Sequence, residues 1–274
     1  MDLLLIPLSL LLVLVAVGLC AGLITGVMGS SGVFVVVPML TLFLGFPVHL
    51  AIGTSLFVDV VASLVTSITY YQHGRLDMSR GVWMAGAAVI GALLGSSFAA
   101  STAEVGLNWI FGVFLILNGL YILRTGMKQI TDRMSSIANR RLLGGEDPSA
   151  RRKKAIGVSV LLGLGIGMIS GFVGAGGGIM FLLVLLLVLG YELHAAIGTS
   201  TLIMASTAAS GSFGYYLHGN LDLAVALIIS IGTLISSRIG AAAANKLGEN
   251  TLGRIIALIL VMLGAVMLLD SLPP

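Results

Sequence analysis

Two clusters of consecutive small residues mark places where the backbone itself can do chemistry. Gly29-Ser30-Ser31-Gly32 and Gly174-Ala175-Gly176-Gly177-Gly178 each interrupt an apolar stretch, and a short apolar run follows at once, from Val33 and from Ile179. Glycine lets the chain turn sharply and approach a ligand closely. A helix starting just after such a turn points its first amides, unpaired, into the gap, which suits an anion. Hydroxyls stand close by in two copies of an Ala-Ile-Gly-Thr-Ser box: Thr54 and Ser55, then Thr199 and Ser200 with Thr201 behind them. They either contact a substrate oxygen or bond back to a helix carbonyl. Two charges complete the set. Asp59 lies about nine residues, roughly 13 Å of helix, inside its apolar segment. Arg238 is about six residues from one end of its own segment, within reach of snorkelling, and is either an anion partner or an interface anchor.

No nucleophile–base pair or metal cluster converges at one depth, so an enzyme is not expected. Gly174-Ala175-Gly176-Gly177-Gly178 is not a nucleotide loop, because no Lys-Ser/Thr follows it and no strand precedes it. The chemistry is that of binding: Ser30, Ser31, Gly32, Thr54, Ser55, Gly176, Gly177, Gly178, Thr199, Ser200 and Arg238 around a small anion, with no cofactor and no metal. Asp59 is the ion-coupling candidate.

These residues sit in a chain that cannot cover a water-facing surface. Its 274 residues are 58% hydrophobic and 9% charged, with a mean hydropathy of +1.11, whereas soluble domains carry about 25% charged residues. The apolar runs are long and only weakly alternating, which indicates an all-α integral membrane protein rather than a barrel. A carboxylate as deep as Asp59 then suggests a proton relay or ion site. The net charge of +3 does not point to nucleic acid, because nine of the fourteen Lys and Arg residues fall in residues 124–154; basic loops beside spans are ordinary. Cys20, the one cysteine, lies in an apolar run and has no disulfide partner within the chain. No basic residue precedes the first apolar run, which argues against a cleaved signal peptide.

The elements that must position the site come in duplicate. Residues 18–77 align without a gap on residues 163–222, with about 24 of 60 positions identical, an internal repeat. The identities gather in a glycine ladder (Gly18, Gly22 and Gly26 against Gly163, Gly167 and Gly171), in the Ala-Ile-Gly-Thr-Ser box, and in an end element, Tyr70 to Asp77 against Tyr215 to Asp222. The ladder reads as small-xxx-small helix packing. His49 matches His194 and His73 matches His218; all lie at segment ends near Tyr70, Tyr71, Tyr215 and Tyr216, an interfacial placement.

Apolar segments run over residues 3–28, 33–44, 50–71, 81–100 and 105–123, and again over 155–173, 179–189, 195–217, 223–244 and 252–269. The second in each half is too short for an ordinary span of about 20 residues. The expected organisation is a first transmembrane repeat at 1–123, a cytoplasmic basic linker at 124–154 and a second repeat at 155–274. The loop around Arg75 and Arg80 is basic, whereas the matching positions are Asn220 and Val225; Glu104 stands in a loop whose counterpart carries Lys246 and Arg254. This reversed bias predicts two inverted-topology repeats of about five segments each, with interrupted or re-entrant helices at the glycine-rich breaks and both termini outside.

With its glycine clusters and Gly-Thr-Ser boxes, at residues 167–178 and 196–200 above all, the chain resembles the sulfite exporter TauE/SafE family, also called the toluene-sulfonate uptake permease family. The resemblance covers about residues 18–269. It implies a plasma-membrane transporter of small, often sulfur-containing anions such as sulfite, sulfonates or sulfoacetate. The first copy departs from the family pattern at Ser30, Ser31 and Val33. The partners so implied are a small anion, the lipid bilayer and protons, with a homodimer left open. An anion channel and a carrier of small non-sulfur carboxylates are the alternatives.

The charge bias makes a direct prediction. A cysteine placed at Asn220 labels with an impermeant reagent in intact cells, and one at Arg75 is shielded. The reverse pattern overturns the assigned topology.

Overall fold

The computed structural model describes residues 7–28, 31–72, 76–78, 81–125, 148–174, 177–191, 193–244 and 249–270. The described residues form helices and turns with no strand, in keeping with the all-α expectation. The first half contains α1 (Leu8–Met28), α2 (Val33–Pro38), α3 (Val48–Gln72), α4 (Gly81–Ala100) and α5 (Glu104–Thr125). The second contains α6 (Pro148–Val173), α7 (Gly178–Leu187), α8 (Leu193–Leu217), α9 (Leu223–Ala244) and α10 (Glu249–Asp270). Helix α6 begins inside the expected linker, with Pro148 in its first turn, where its fixed φ and missing amide are harmless. The linker's remaining residues, 126–147, lie outside the described residues.

Four helical stretches among the described residues are long and apolar enough to cross a membrane: Val48–Gln72, Gly81–Ala100, Glu104–Thr125 and Ala155–Val173. Many large apolar side chains face outward, including Trp83, Leu117, Leu161, Phe213 and Ile231. Asp59 and many Ser and Thr residues are buried instead. That distribution suits a lipid surround, where polar groups must find partners inside the protein.

Helix α2 is short because its interior is interrupted. Pro38 lacks an amide for the ladder, and from Met39 to Phe43 the chain widens into a π-helical turn. Helix α7 is ten residues long. Helix α2 together with its π-helical turn, and α7 alone, each span about 15 Å, half of a hydrocarbon layer of about 30 Å. Both end alike: the Phe46 amide donates to the Leu40 carbonyl and the Tyr191 amide to the Leu185 carbonyl, each at 3.0 Å.

The helices pair in a pattern that is unchanged when the halves are exchanged. Helix α1 packs along α9, and its counterpart α6 packs along α4. Helix α3 packs on α8 and α5 on α10; α9 contacts α3 as α4 contacts α8. The first helix of each half is therefore embraced by the other half. The glycine ladder makes this possible, as small-xxx-small packing requires. A Cβ at Gly18 would collide with the Ile229 carbonyl, and one at Gly163 with the Met84 carbonyl, the repeat counterpart of Ile229. Gly22 lies against Thr233 and Gly167 against Ala88 in the same correspondence. The Thr233 hydroxyl also donates to the Gly18 carbonyl at 3.2 Å.

Helices α3 and α8 form the centre and run antiparallel. A side chain at Gly53, near the start of α3, would meet Tyr215 and Asn220 at the end of α8. Gly211 lies against Leu56, and Thr199, near the start of α8, reaches Asp77 just beyond the end of α3.

Packing at the ladder separates two substitutions of one kind. Gly167→Ala places a methyl against the Ala88 backbone and is expected to cost about 1–3 kcal/mol. Gly165→Ala enters open space and gains up to about 1 kcal/mol of helix propensity. Thermal unfolding in detergent should show a clear drop for the first and none for the second; equal melting temperatures would exclude tight α4–α6 contact.

Candidate functional site

The first break is built around Asp59. Helix α3 carries this residue on its buried side, 1% exposed, to the point where α2 begins. The Gly32 amide donates to Asp59 Oδ1 at 3.0 Å, and the Ser31 hydroxyl donates to Oδ2. Ser31 Oγ also accepts the Val33 amide at 3.2 Å. Hydroxyl and carboxylate together satisfy amides that a starting helix leaves open. An ionised carboxyl there is favoured by the helix dipole. The anion-binding capacity expected of this break is thus in use, and the occupant is a carboxylate of the protein.

The second break lies against the first. A Cβ at Gly174 would meet Ile52 of α3, and would stand 3.5 Å from Cγ1 of Val33, the first residue of α2. Gly177 has φ +60°, a left-handed conformation natural to glycine, and precedes α7 beside Ile166 and Phe181. Gly178 is buried at the start of α7. Ser30 and Gly176 lie outside the described residues. The breaks therefore lie against each other at Gly174 and Val33, but they are not equivalent. Met204 occupies the repeat position of Asp59 and is buried.

The box hydroxyls are turned to other work. Thr54 Oγ1 accepts the Asp222 amide at 3.1 Å. Thr199 Oγ1 accepts the Asp77 amide at 3.1 Å and donates to the Asp77 carbonyl at 3.0 Å. Each threonine thus holds the end element of the opposite half. Ser55 donates to the Ile52 carbonyl at 2.8 Å, Ser200 to Ile197 at 2.9 Å and Thr201 to Gly198 at 2.8 Å, all within their own helices. Arg238 is not brought to the breaks. It lies on the exposed stripe of α9 with Ile231, Leu234, Ile235 and Ile239, because the Thr233 and Ser236 face is pressed onto α1.

The histidines with described side chains tie up helix ends. His49 Nε2 is 3.0 Å from the Ala99 carbonyl and 3.1 Å from that of Thr102, and His218 Nδ1 is 2.8 Å from the Gly214 carbonyl. His73 lies outside the described residues, and the His194 side chain is likewise not described. Among the described residues no three His, Cys, Asp or Glu side chains converge.

Two polar residues near the break carried no signal of their own in the sequence. Thr25 stands beside Gly32 and donates to the Ala21 carbonyl at 2.9 Å. Ser63, one helical turn beyond Asp59, is fully buried and its hydroxyl has no hydrogen-bond partner. The i, i+4 spacing of Ser55, Asp59, Ser63 and Ser67 is the pattern that singles out this buried polar line on α3.

Comparison with known proteins adds identity to this geometry. The family model described as "Sulfite exporter TauE/SafE" matches residues 14–267. The "Probable membrane transporter protein YdhB" of Bacillus subtilis is 25% identical over 247 residues, covering 90% of this chain and 96% of that protein. The similarly named YunE of the same organism is 26% identical over 271 residues, covering 94% and 97%. A third, MJ0441 of Methanocaldococcus jannaschii, is 27% identical over 285 residues, covering 96% and 97%. No solved structure matches.

The Asp59 cap has a measurable stability consequence. Asp59→Leu leaves the Gly32 amide and the Ser31 hydroxyl buried without their acceptor, at about 1–3 kcal/mol each. Its melting temperature should fall by roughly 5–10 °C, while Asp59→Asn, which keeps an oxygen for the Gly32 amide, should stay near the wild type. A leucine variant as stable as the wild type would show that the cap is not holding the break.

Proposed function

The chain belongs to the sulfite exporter TauE/SafE family of membrane transporters, and from that premise we propose that it carries a small organosulfur anion across the plasma membrane by proton-coupled alternating access. Sulfite, a sulfonate or sulfoacetate fits the proposal. The observation that carries it is the seat of Asp59. A desolvated oxyanion needs donors to replace its water, and the first break already presents an amide and a hydroxyl to two carboxylate oxygens. A sulfite or sulfonate offers oxygens of the same kind.

Two anions resist sharing one set of donors. In the proposed cycle, Asp59 takes up a proton and releases Ser31 and Gly32. The substrate then settles between that break and the Gly177–Gly178 start of α7, which Gly174 keeps close to Val33. Proton and anion move together because one frees the place of the other. Ser55 and Ser200 line the same central helices and remain candidates for contact once the halves move. Ser30 and Gly176 belong to the two breaks and complete the proposed seat.

The exchangeable helix pairing and the antiparallel α3–α8 pair are what two repeats of opposite orientation would produce. They support a path between the halves, and the Lys and Arg bias puts the basic linker on the cytoplasmic side in this reading. A small non-sulfur carboxylate is the second reading, favoured by the fact that the resident group is itself a carboxylate.

Thermal-shift screening of the purified protein against sulfite, sulfoacetate and acetate identifies the ligand class, since a ligand stabilises the state it binds. Flux of the most stabilising anion into liposomes then tests the coupling. Wild-type flux should rise with an imposed proton gradient, and Asp59→Asn should lose that dependence while remaining folded. Normal gradient-driven flux in the variant would make Asp59 structural; flux indifferent to the gradient in the wild type would indicate a channel.

A further inference from the structure

The repeated Thr–Asp contacts lie at opposite ends of the central helix pair. Thr54 holds the turn after α8, through the Asp222 amide, at the end where α3 begins. Thr199 holds the turn after α3, through both backbone groups of Asp77, at the end where α8 begins. Since α3 and α8 are antiparallel, the contacts are separated by roughly 20 Å along the pair, at 1.5 Å per residue. Each bridges the two halves, and each joins a helix to a turn of the opposite repeat. Between them lies Asp59 with Ser31 and Gly32, while Gly174 of the second break stands against Ile52 near the Thr54 end.

We infer that these contacts are the two gates of the transporter: the Thr54–Asp222 latch closes one end of the path between the halves, and the Thr199–Asp77 latch closes the other. The inference rests on the reading that substrate passes between the halves. A carrier must open to one side while sealed on the other, and related threonine closures at opposite ends meet that need. Here both are closed, so the described conformation is occluded.

The geometry says what opening requires. A latch consists of a hydroxyl and backbone groups with no full charge, a contact whose net worth is small enough to break in each cycle. The surrounding turn is compact enough to move as a unit. After α8 it folds on itself through the Gly219 amide to the Tyr216 carbonyl at 3.0 Å and the Asn220 amide to the Tyr215 carbonyl at 2.9 Å, with Gly219 at φ +73°. Asp222 then caps the next helix, its Oδ1 accepting the Val225 amide at 3.1 Å. Displacing the turn therefore carries α9 with it, and α9 is bound to α1.

Besides the second bond made by Thr199, the Asp77 end has a supporting bond of its own. The Gly81 amide, at the start of α4, donates to the Tyr191 hydroxyl at 3.0 Å. The repeat position of Tyr191 is Phe46, which has no hydroxyl. Removing the Tyr191 hydroxyl should thus weaken the Asp77 end alone.

The test needs no substrate, so it is independent of which anion is carried and of the role of Asp59. In a Cys20→Ser background, Met204→Cys places one buried thiol on α8 between the latches, and its reaction with an impermeant methanethiosulfonate is followed from each face in oriented vesicles. Thr54→Val should raise labelling roughly three- to ten-fold from the face that carries the 218–222 turn. Thr199→Val should do so from the opposite face, and Tyr191→Phe should act in the same direction as Thr199→Val. Thr54→Ser and Thr199→Ser keep the hydroxyl and should label as the parent does. The gating assignment is overturned if both valine variants open the same face, if neither changes labelling, or if the serine variants behave as the valine variants do. Should Thr199→Val fail to fold, Tyr191→Phe alone decides that end: unchanged labelling from the face carrying Asp77 rejects the gate there.

Discussion

Inside a membrane, a backbone group released from a helix has no water to turn to, and this constraint organises the molecule. Each interruption of a span creates amides and carbonyls that must be satisfied within the protein. The chain has such places at its two helix breaks and at the turns after its central helices. Some of the missing partners are local, and others come from another part of the fold. Asp59 and Ser31 meet the amides that open at α2. Thr54 and Thr199 meet the backbone of turns belonging to the opposite repeat.

The same constraint explains why the motifs occur together and twice. A threonine in one repeat is useful to the fold only if the other repeat brings a turn to it, and the reverse contact requires the same two motifs again. The glycine ladder serves the same interlock by a different force. Lipid gives apolar side chains little reason to leave it for one another, so helices hold together by close packing and by the hydrogen bonds that closeness permits. Gly18 brings α1 near enough to α9 for the Thr233 hydroxyl to reach its carbonyl. Ladder, box and end element are three parts of one interface between the halves.

Much of this architecture was legible in the sequence because it depends on local composition or exact repetition. The helical membrane class, the doubled units, the short second helices and the buried position of Asp59 all follow from runs, spacing and alignment. The partners of Thr54 and Thr199 do not, since they lie 168 and 122 residues away, and a hydroxyl in a helix has nearby carbonyls as an equally good local choice. Ser55 and Ser200 take that choice. Arg238 was ambiguous for a related reason. Its depth could be read from the segment, but its direction depends on which face of α9 the glycines of α1 select.

The departure of the first repeat from the second is where a symmetric scaffold can acquire directionally coupled chemistry. Two equal breaks would offer equal donor sets, and occupancy of either by an anion would be unrelated to protons. Asp59 removes that equality, because Met204 stands at its counterpart and cannot ionise. Ser31 removes it again, supplying a hydroxyl where the second repeat has Gly176. The pair acts jointly: the hydroxyl both donates to the carboxylate and receives an amide of α2. A proton on Asp59 would therefore alter both the charge at the break and the donors it presents. In the proposed cycle, exchange symmetry supplies two alike ends for alternating access, and this local asymmetry supplies something for access to be coupled to.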